Sequence, residues 1–324
     1  MMIRTPKFWL TKNIIAILLW PLSLIYQMFS WFGGFCRKQN KIAKKVICIG
    51  NITVGGSGKT PVALMIGTLL QEIGVEFAYL SRGHRGKIRE VRQVDIKDCQ
   101  ASEVGDEPLI LAELAPTFVA KDRFVGAKII EKNPNFQAIV LDDGMQNNSI
   151  KKDFTILVID GKVKFGNGFI FPAGPLRQSI QSGLKQADLV VVIGEIDANL
   201  QKILSRIKFI QAKIKAKNLA QFQDQKLVAF CGIAYPEKFF SYLQNQGLQT
   251  IAQIDFPDHY FYTKSDLEKL QKQAFEHDAK LITTKKDWIK FPQNFKEQIG
   301  FLDIELEPEN KGLLLDKIKR IIAK

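Results

Sequence analysis

The chain has 324 residues, 46% of them hydrophobic and 24% charged; this composition excludes a disordered, fibrous or disulfide-stapled protein, and the length predicts two domains at about 150 residues each. Lysine and arginine number 46 against 33 acidic residues, which gives a net charge of +13, and the first acidic residue is Glu72. A basic amino-terminal part is typical of proteins that bind nucleic acid, anionic lipid or a phosphorylated substrate, and charge alone does not choose among them.

The first predicted element is an apolar helix. Residues 13–36 carry no charge and are mostly Ile, Leu, Trp and Phe, which is long enough for one membrane crossing. A proline interrupts the stretch, however, and Ser23, Gln27 and Ser30 form a polar stripe at helical spacing. We expect residues 1–36 to form a membrane-associated helix, peripheral or inserted as a single anchor; the alternative is a helix packed on the protein's own core. Five bases after it are expected to meet an anionic lipid surface: Arg37, Lys38, Lys41, Lys44 and Lys45.

A phosphate-binding loop follows. A strand predicted over Val46–Ile52 and a helix predicted over Pro61–Ile73 flank the sequence Thr53-Val-Gly-Gly-Ser-Gly-Lys-Thr60. This is a P-loop whose first motif position is threonine instead of glycine. Its glycines let backbone N–H groups converge on phosphate, and we expect Lys59 at the β- and γ-phosphates of ATP and the Thr60 hydroxyl on Mg²⁺. The predicted nucleotide-binding residues are Thr53, Val54, Gly55, Gly56, Ser57, Gly58, Lys59 and Thr60.

The alternation of strands and helices continues to about residue 194. One buried strand ends in Asp142 and Asp143, which predicts a second metal-binding element at the carboxyl edge of a parallel sheet. The strands predicted in this part are Phe77–Ser81, Phe118–Ala120, Ala138–Asp143, Thr155–Asp160 and Leu189–Gly194, and the helices are Glu107–Leu114 and Arg123–Lys132.

A glutamine-rich stretch, Leu219–Gln225, predicts a linker to a second, smaller α/β domain. The resulting domain limits are 37–218 for a P-loop core with a parallel sheet, 219–306 for the smaller domain, and 307–324 for a terminal helix packing back on the core. The elements predicted after the linker are strands Leu227–Cys231, Thr250–Phe256 and Lys280–Thr284, and helices Pro236–Gln246, Lys264–Phe275 and Leu313–Ile322.

Two classes of switch NTPase compete with a kinase on this evidence. Thr284-Lys-Lys-Asp287 is similar to the guanine-reading element of G proteins, but no Asp-x-x-Gly sequence follows the strand that ends at Asp142. An ATPase of the partition or metal-chaperone type would use such a P-loop as well, but would have no evident use for the apolar helix or the second α/β unit.

The motifs together resemble one family, the tetraacyldisaccharide 4′-kinases (LpxK). The segments that carry the resemblance are Gly50-Asn-Ile-Thr-Val-Gly-Gly-Ser-Gly-Lys-Thr-Pro61, Leu80-Ser-Arg-Gly-His84, Val104-Gly-Asp-Glu-Pro108, Asp142-Asp-Gly-Met-Gln146, Phe165-Gly-Asn-Gly168, Pro172-Ala-Gly-Pro-Leu-Arg177, Phe230-Cys-Gly-Ile-Ala234 and Phe256-Pro-Asp-His-Tyr260.

The resemblance implies transfer of the ATP γ-phosphate to the 4′-hydroxyl of an acylated glucosamine disaccharide 1-phosphate, at the cytoplasmic face of the bacterial inner membrane and without nucleic acid. It implies that Asp106 is the catalytic base and that His259 is its partner. It also marks five residues for substrate binding or support of the site: Arg82, Arg85, Glu107, Gln146 and Arg177.

Two positions depart from the family pattern. Gln178 stands where the family usually has an acidic residue, so no metal or nucleotide role is carried over to it. Lys285 stands where the family often has glutamate, and we expect the Lys285-Lys286 pair to serve the acidic substrate.

Overall fold

The strands of the protein form two sheets. The structure is a computed structural model that describes residues 5–35 and 39–323. Within these residues, a nine-stranded sheet contains β1 (Lys45–Gly50), β2 (Phe77–Ser81), β3 (Arg92–Gln93), β4 (Thr117–Val119), β5 (Ala138–Asp142), β6 (Phe154–Asp160), β7 (Leu189–Ile193), β8 (Phe209–Ala216) and β13 (Ile304–Pro308). A four-stranded sheet contains β9 (Leu227–Cys231), β10 (Thr250–Asp255), β11 (Lys280–Thr284) and β12 (Ile299–Leu302).

Helices cover the sheets and, at the amino terminus, extend beyond them. In chain order they are α1 (Ile14–Phe35), α2 (Lys59–Glu72), α3 (Ala101–Val104), α4 (Asp106–Ala112), α5 (Arg123–Glu131), α6 (Ile180–Gln186), α7 (Ala198–Leu204), α8 (Pro236–Asn245), α9 (Lys264–Glu276), α10 (Lys285–Trp288), α11 (Gln293–Lys296) and α12 (Lys311–Ile322).

The nine-stranded sheet has the order β13-β8-β7-β6-β1-β5-β2-β4-β3. β1 lies in the middle and pairs in parallel with β5 on one side and with β6 on the other. Strands buried on both faces read as continuous apolar runs, as Leu189–Ile193 does. In such sheets ligands bind outside the carboxyl ends of the strands where the strand order reverses, and the chain leaves β1 directly into the P-loop. The predicted α/β class with a parallel-sheet core is confirmed.

The edges of the large sheet differ from the prediction. β13 pairs antiparallel with β8, and β3 pairs antiparallel with β4. Of these four strands, only β4 was predicted from the sequence. β12, in the smaller sheet, was not predicted either. β8 is half exposed and carries two lysines, so it lacks the apolar run of a central strand. Its backbone partner β13 lies almost ninety residues later, beyond the reach of any local pattern.

The paired strands β8 and β13 connect the two sheets. The chain leaves the large sheet after Ala216, builds the four-stranded sheet, and returns at Ile304, which pairs with Ala216. α12 then packs on the large sheet, where Leu314 and Ile318 are fully buried in the same core cluster as Ile47. The domain limits drawn from the sequence stay a prediction.

Over residues 14–29, the amino-terminal helix α1 presents most of its apolar side chains to solvent. Ala16 and Ser23 are buried against the protein, and the Ser23 hydroxyl donates to the carbonyl of Ile170 at 2.7 Å. Among residues 14–29 of α1, the exposed large side chains are Ile14, Ile15, Ile17, Leu18, Trp20, Leu22, Leu24, Ile25, Met28 and Phe29. Among the described residues no helix combines the length and the hydropathy that a membrane crossing requires.

Candidate active site

The P-loop has the backbone shape that phosphate binding needs. Gly55 has φ +109° and Gly58 has φ +85°, conformations that glycine adopts without strain. Gly58 also precedes the first residue of α2, and no side chain caps that helix end. The first N–H groups of a fourteen-residue helix are therefore free of side-chain acceptors, and they carry the positive end of its dipole toward the loop.

A buried asparagine, Asn51, forms hydrogen bonds with two residues of the P-loop. The Asn51 side-chain N–H₂ group donates to the hydroxyl of Thr53 at 3.2 Å and to that of Ser57 at 2.7 Å. The Gln146 amide donates to the Asn51 carbonyl at 2.7 Å. No role was predicted for Asn51 from the sequence, although its position directly after a buried strand could have indicated one.

A second loop supports the P-loop and contacts the amino-terminal segment. The N–H of Val54 donates to the carbonyl of Pro175 at 2.7 Å, and the N–H of Arg177 donates to that of Ile52 at the same distance. The other side of this loop binds the start of the chain, because Trp9 Nε1 donates to the carbonyl of Pro172 at 3.0 Å. The start of the chain, which continues into α1, is therefore hydrogen-bonded to the same loop that is hydrogen-bonded to the P-loop.

The two carboxylates at the end of β5 sit in different environments. Asp143 lies 3.8 Å from the Lys59 ammonium and 3.4 Å from the Arg177 guanidinium. Burial raises the pKa of Asp143, but Lys59, Arg177 and the buried Arg123 outweigh it and hold the pKa below its ordinary value. Arg177 also donates to Gln146 at 3.1 Å. The structure therefore brings four of the predicted site residues together: Lys59, Asp143, Gln146 and Arg177.

Asp142 is buried and only half satisfied. Its Oδ2 accepts a hydrogen bond from Ser81 at 3.2 Å, while its Oδ1 has no hydrogen-bond partner among the described residues. Burial raises the pKa of Asp142 to about 7, and the carboxylates of Glu107 and Asp143 add to the shift. A buried carboxylate oxygen without a partner, at the edge of a P-loop, fits a hard cation such as Mg²⁺.

Asp142 should make stability depend on pH. Because its folded pKa is about 7 against an ordinary 3.8, its contribution is complete below about pH 4 and is lost as pH rises to about 7. The free energy of unfolding of wild type, minus that of Asp142→Asn, should therefore fall across this window. Urea unfolding of both proteins at pH 5, 6, 7 and 8, without divalent cations, measures the difference. A constant difference would contradict the assignment.

Asp106 and His259 form a buried pair, in which Asp106 comes from the part of the chain that forms the large sheet and His259 from the part that forms the four-stranded sheet. Asp106 is the first residue of α4, and its Oδ2 lies 2.8 Å from Nδ1 of His259. His259 has φ +57° and is held in that conformation by a hydrogen bond from its N–H to the carbonyl of Gly232 at 3.0 Å. Burial alone would raise the pKa of Asp106, but Lys286 and His259 outweigh burial and keep it far below its ordinary value. Asp106 is thus an ionised carboxylate at neutral pH.

Glu107 joins this pair to the nucleotide side. Its carboxylate lies 3.5 Å from the ammonium of Lys286, which in turn lies 3.1 Å from Nε2 of His259. On the other side Glu107 raises the pKa of Asp142. A series of charged groups therefore runs from Lys286, which contacts His259, through Glu107 to Asp142 at the end of β5.

The remaining predicted residues divide between the site and its support. Arg85 donates to the backbone carbonyls of Asp258 at 2.8 Å and His259 at 3.4 Å, so it holds the histidine turn. Arg82 is exposed and lies near Lys121 and Arg123, whose pKa values are lowered by burial and further by its charge.

The departures from the family pattern also have definite places. Gln178 keeps a buried side-chain N–H₂ without a hydrogen-bond partner in the described part of the chain. Lys285 pairs with Glu113 at 2.6 Å and with Asp303 at 3.5 Å, outside the site, whereas Lys286 lies in it. The expectation of a lysine pair acting together is therefore wrong, because successive residues at a helix start point in different directions.

Asp287 does not serve as a base-reading residue. It is fully buried and accepts hydrogen bonds from the N–H of Gly232 at 2.9 Å and the Thr284 hydroxyl at 2.8 Å, and it pairs with Lys290 at 2.7 Å. Its carboxylate is used inside the protein, so the likeness of residues 284–287 to a guanine-reading element reflects a helix cap.

Known proteins resemble the chain over nearly its whole length. A family model described as LpxK, tetraacyldisaccharide-1-P 4′-kinase, matches residues 15–323. A tetraacyldisaccharide 4′-kinase of Rickettsia canadensis is 40% identical over 317 residues, covering 97% of this chain and 96% of that protein. One from Paramagnetospirillum magneticum is 38% identical over 321 residues, covering 98% of each. The crystal structure of LpxK from Aquifex aeolicus in complex with ATP has the same fold, with a TM-score of 0.77 at 24% identity, covering 95% of this chain and 100% of that one.

Proposed function

The chain belongs to the LpxK family of tetraacyldisaccharide-1-P 4′-kinases, and from that premise we propose how its residues carry out the reaction at a membrane surface. The protein is an ATP-dependent lipid kinase that transfers the γ-phosphate of ATP to the 4′-hydroxyl of tetraacyldisaccharide 1-phosphate. The observation that carries the mechanism is the hydrogen bond between Asp106 and His259. Glu107, the neighbour of Asp106, acts electrostatically on Asp142 at the end of β5.

The residues at the P-loop would hold the nucleotide. The N–H groups at the start of α2 and the Lys59 ammonium would face the phosphates, and Arg177 shares Asp143 with Lys59. The Thr60 hydroxyl and the Asp142 and Asp143 carboxylates would hold Mg²⁺, which neutralises charge on the phosphate oxygens when bound. The described residues contain no cluster of three or more metal-binding side chains. In a P-loop site the phosphates would supply the remaining oxygen ligands.

Asp106 would take up the proton of the acceptor. The sugar 4′-oxygen forms a bond to the γ-phosphorus while the bond from phosphorus to the β,γ-bridging oxygen breaks and its electron pair leaves with ADP. The hydroxyl proton passes to the Asp106 carboxylate, which His259 orients through Nδ1. An ionised carboxylate is only weakly basic. Asp106 would therefore contribute through its position beside the hydroxyl, whose proton becomes more acidic as the bond to phosphorus forms.

The exposed face of α1 would dock on the cytoplasmic face of the inner membrane. Its ten large apolar side chains offer area to the acyl boundary, at about 25 cal/mol per Å² removed from water. Of the five bases expected beside it, Arg37 and Lys38 lie outside the described residues. Lys41 is exposed, but Lys44 and Lys45 are half buried and Lys45 belongs to β1. Apolar area therefore outweighs basic charge in this proposal.

Charges placed on the exposed face of α1 should reduce membrane binding without unfolding the protein. Ile14 and Leu18 are 75% and 73% exposed, so Ile14→Glu with Leu18→Glu should lower binding to anionic vesicles about tenfold or more and raise the apparent KM for lipid. The matched control is Phe275→Glu on α9, at a residue 88% exposed, and it should bind like wild type. Equal loss in both variants, or in neither, would exclude α1 as the docking element.

Point substitutions are preferable to a deletion here. Removing residues 1–36 would also remove Trp9 and Ser23, which bind the loop that supports the P-loop. A truncated protein would therefore confound membrane docking with nucleotide binding.

Transfer of ³²P from γ-labelled ATP to purified tetraacyldisaccharide 1-phosphate in detergent micelles tests the function directly. Labelled lipid is expected with ATP and Mg²⁺, and little with GTP. Hydrolysis without lipid labelling, or a preference for GTP, would favour a switch NTPase.

A further inference from the structure

Both ring nitrogens of His259 have partners of known character. Nδ1 lies 2.8 Å from the Asp106 carboxylate, and Nε2 lies 3.1 Å from the Lys286 ammonium. The other groups facing the ring are the Asp258 carboxylate, 3.9 Å from Nε2, and the ring of His84, with a centroid distance of 5.4 Å. The imidazole itself is buried, so these neighbours decide where its proton resides.

The charge of Lys286 is fixed by its surroundings. Burial alone lowers its pKa, but the surrounding carboxylates, Asp106 first and Glu107 next, outweigh burial and raise the pKa above its ordinary value. A lysine ammonium has three donors and no acceptor. Nε2 of His259 must therefore accept from Lys286, which leaves the single proton of a neutral imidazole on Nδ1. Nδ1 then donates to Asp106, and the hydrogen bonds run in one direction, from Lys286 through His259 to Asp106.

We infer that Lys286 is a positioning residue for phosphoryl transfer: by donating to Nε2 it fixes the tautomer of His259 that donates to Asp106. The inference rests on the proposed role of the Asp106–His259 pair. It explains why Nε2 of His259, which could otherwise serve as a base, already accepts a hydrogen bond from Lys286. The Asp106 carboxylate is then the group that takes up the proton of the sugar hydroxyl. The opposite tautomer would place two acceptors, Nδ1 and the carboxylate, 2.8 Å apart, and so would misorient the base.

Histidine nitrogen spectroscopy on the full chain tests this inference. The protein has three histidines, so long-range ¹H–¹⁵N spectra with ¹⁵N-histidine are simple, and His259→Gln assigns the signal. The ligand-free wild type should show His259 as a neutral ring protonated on Nδ1. Lys286→Met should lose this single-tautomer signature and lower kcat by roughly 10²-fold, the lower end for a general base, with KM for ATP changed less than about twofold.

Two further variants separate positioning from folding. Lys286→Gln keeps a neutral donor at Nε2 and should retain the Nδ1–H tautomer. Lys285→Met changes the adjacent lysine, whose side chain is 21% exposed against 22% for Lys286 and which is also ion-paired, and it should leave both tautomer and kcat unchanged. If Lys286→Met fails to fold, the Lys286→Gln spectrum and the wild-type tautomer still decide the question.

Three results would overturn the inference: an Nε2-protonated or doubly protonated His259 in the wild type, an unchanged tautomer and kcat in Lys286→Met, or loss of the tautomer in Lys285→Met. The spectra need no substrate. A protein that shows the expected tautomer but labels no lipid would refute the proposed function alone, and an active kinase whose tautomer ignores Lys286 would refute this inference alone.

Discussion

Replacing Lys59 by alanine is expected to lower lipid phosphorylation by about 10³-fold, because two effects add. The ammonium belongs to the loop that is predicted to bind phosphate, and removing one preorganised charge of this kind costs roughly 10²–10³ in kcat. Lys59 also lowers the pKa of Asp142, which burial nevertheless holds at about 7. Without Lys59, more Asp142 is protonated at neutral pH, and a protonated carboxyl is a poor ligand for Mg²⁺.

Steady-state kinetics at pH 7 and pH 8.5 separate the two effects. Loss through Asp142 should be partly recovered at the higher pH, whereas loss of the phosphate contact should not. Lys59→Arg keeps the charge but not the compact ammonium, so it should recover only part of the activity. Lys162→Ala, at an exposed lysine of the same domain, controls for loss of net charge. Turnover above about a tenth of wild type in Lys59→Ala would remove this P-loop lysine from the mechanism.

The elements that carry the proposed nucleotide site were predictable because their determinants are local. Strand, glycine loop and helix follow one another in the sequence, and the paired carboxylates end an apolar run. The structure places them at the central strand of the sheet, as the pattern predicts. Asn51, which binds the hydroxyls of Thr53 and Ser57, was missed because its role depends on burial rather than on spacing.

The acceptor side was not predictable from local pattern. Asp106 and His259 are 153 residues apart, and only the family resemblance joined them. Lys286 lies on a third element, and its neighbour Lys285, indistinguishable from it in a sequence, points elsewhere. Asp287 shows the opposite failure, since a familiar local pattern turned out to be a buried cap. Contacts between the part of the chain that forms the large sheet and the part that forms the four-stranded sheet decide the first two cases. Burial within the smaller part decides the third. A single sequence does not encode such contacts as spacing.

Removing Asp106 and His259 singly and together is expected to show that they act as one unit. Asp106→Asn keeps the shape of the side chain and loses the proton acceptor, so kcat should fall 10²–10⁴-fold with little change in KM for ATP. His259→Ala should fall by a similar or smaller factor, because it leaves the buried carboxylate without the Nδ1 donor at 2.8 Å. If His259 acts only by orienting the Asp106 carboxylate, then removing His259 should have little further effect on kcat in the Asp106→Asn variant.

The double variant Asp106→Asn/His259→Ala should therefore be little slower than the slower single variant, instead of showing the product of the two losses. His84→Ala is the matched control, since its ring contacts the His259 ring but lies outside the hydrogen-bonded pair; combined with Asp106→Asn, it should show independent effects. The measurement is kcat with lipid in micelles for all variants under one set of conditions. Multiplicative losses for Asp106 and His259 would mean that the histidine meets the substrate or the phosphate by itself, and the base would then have to be reassigned between the two residues.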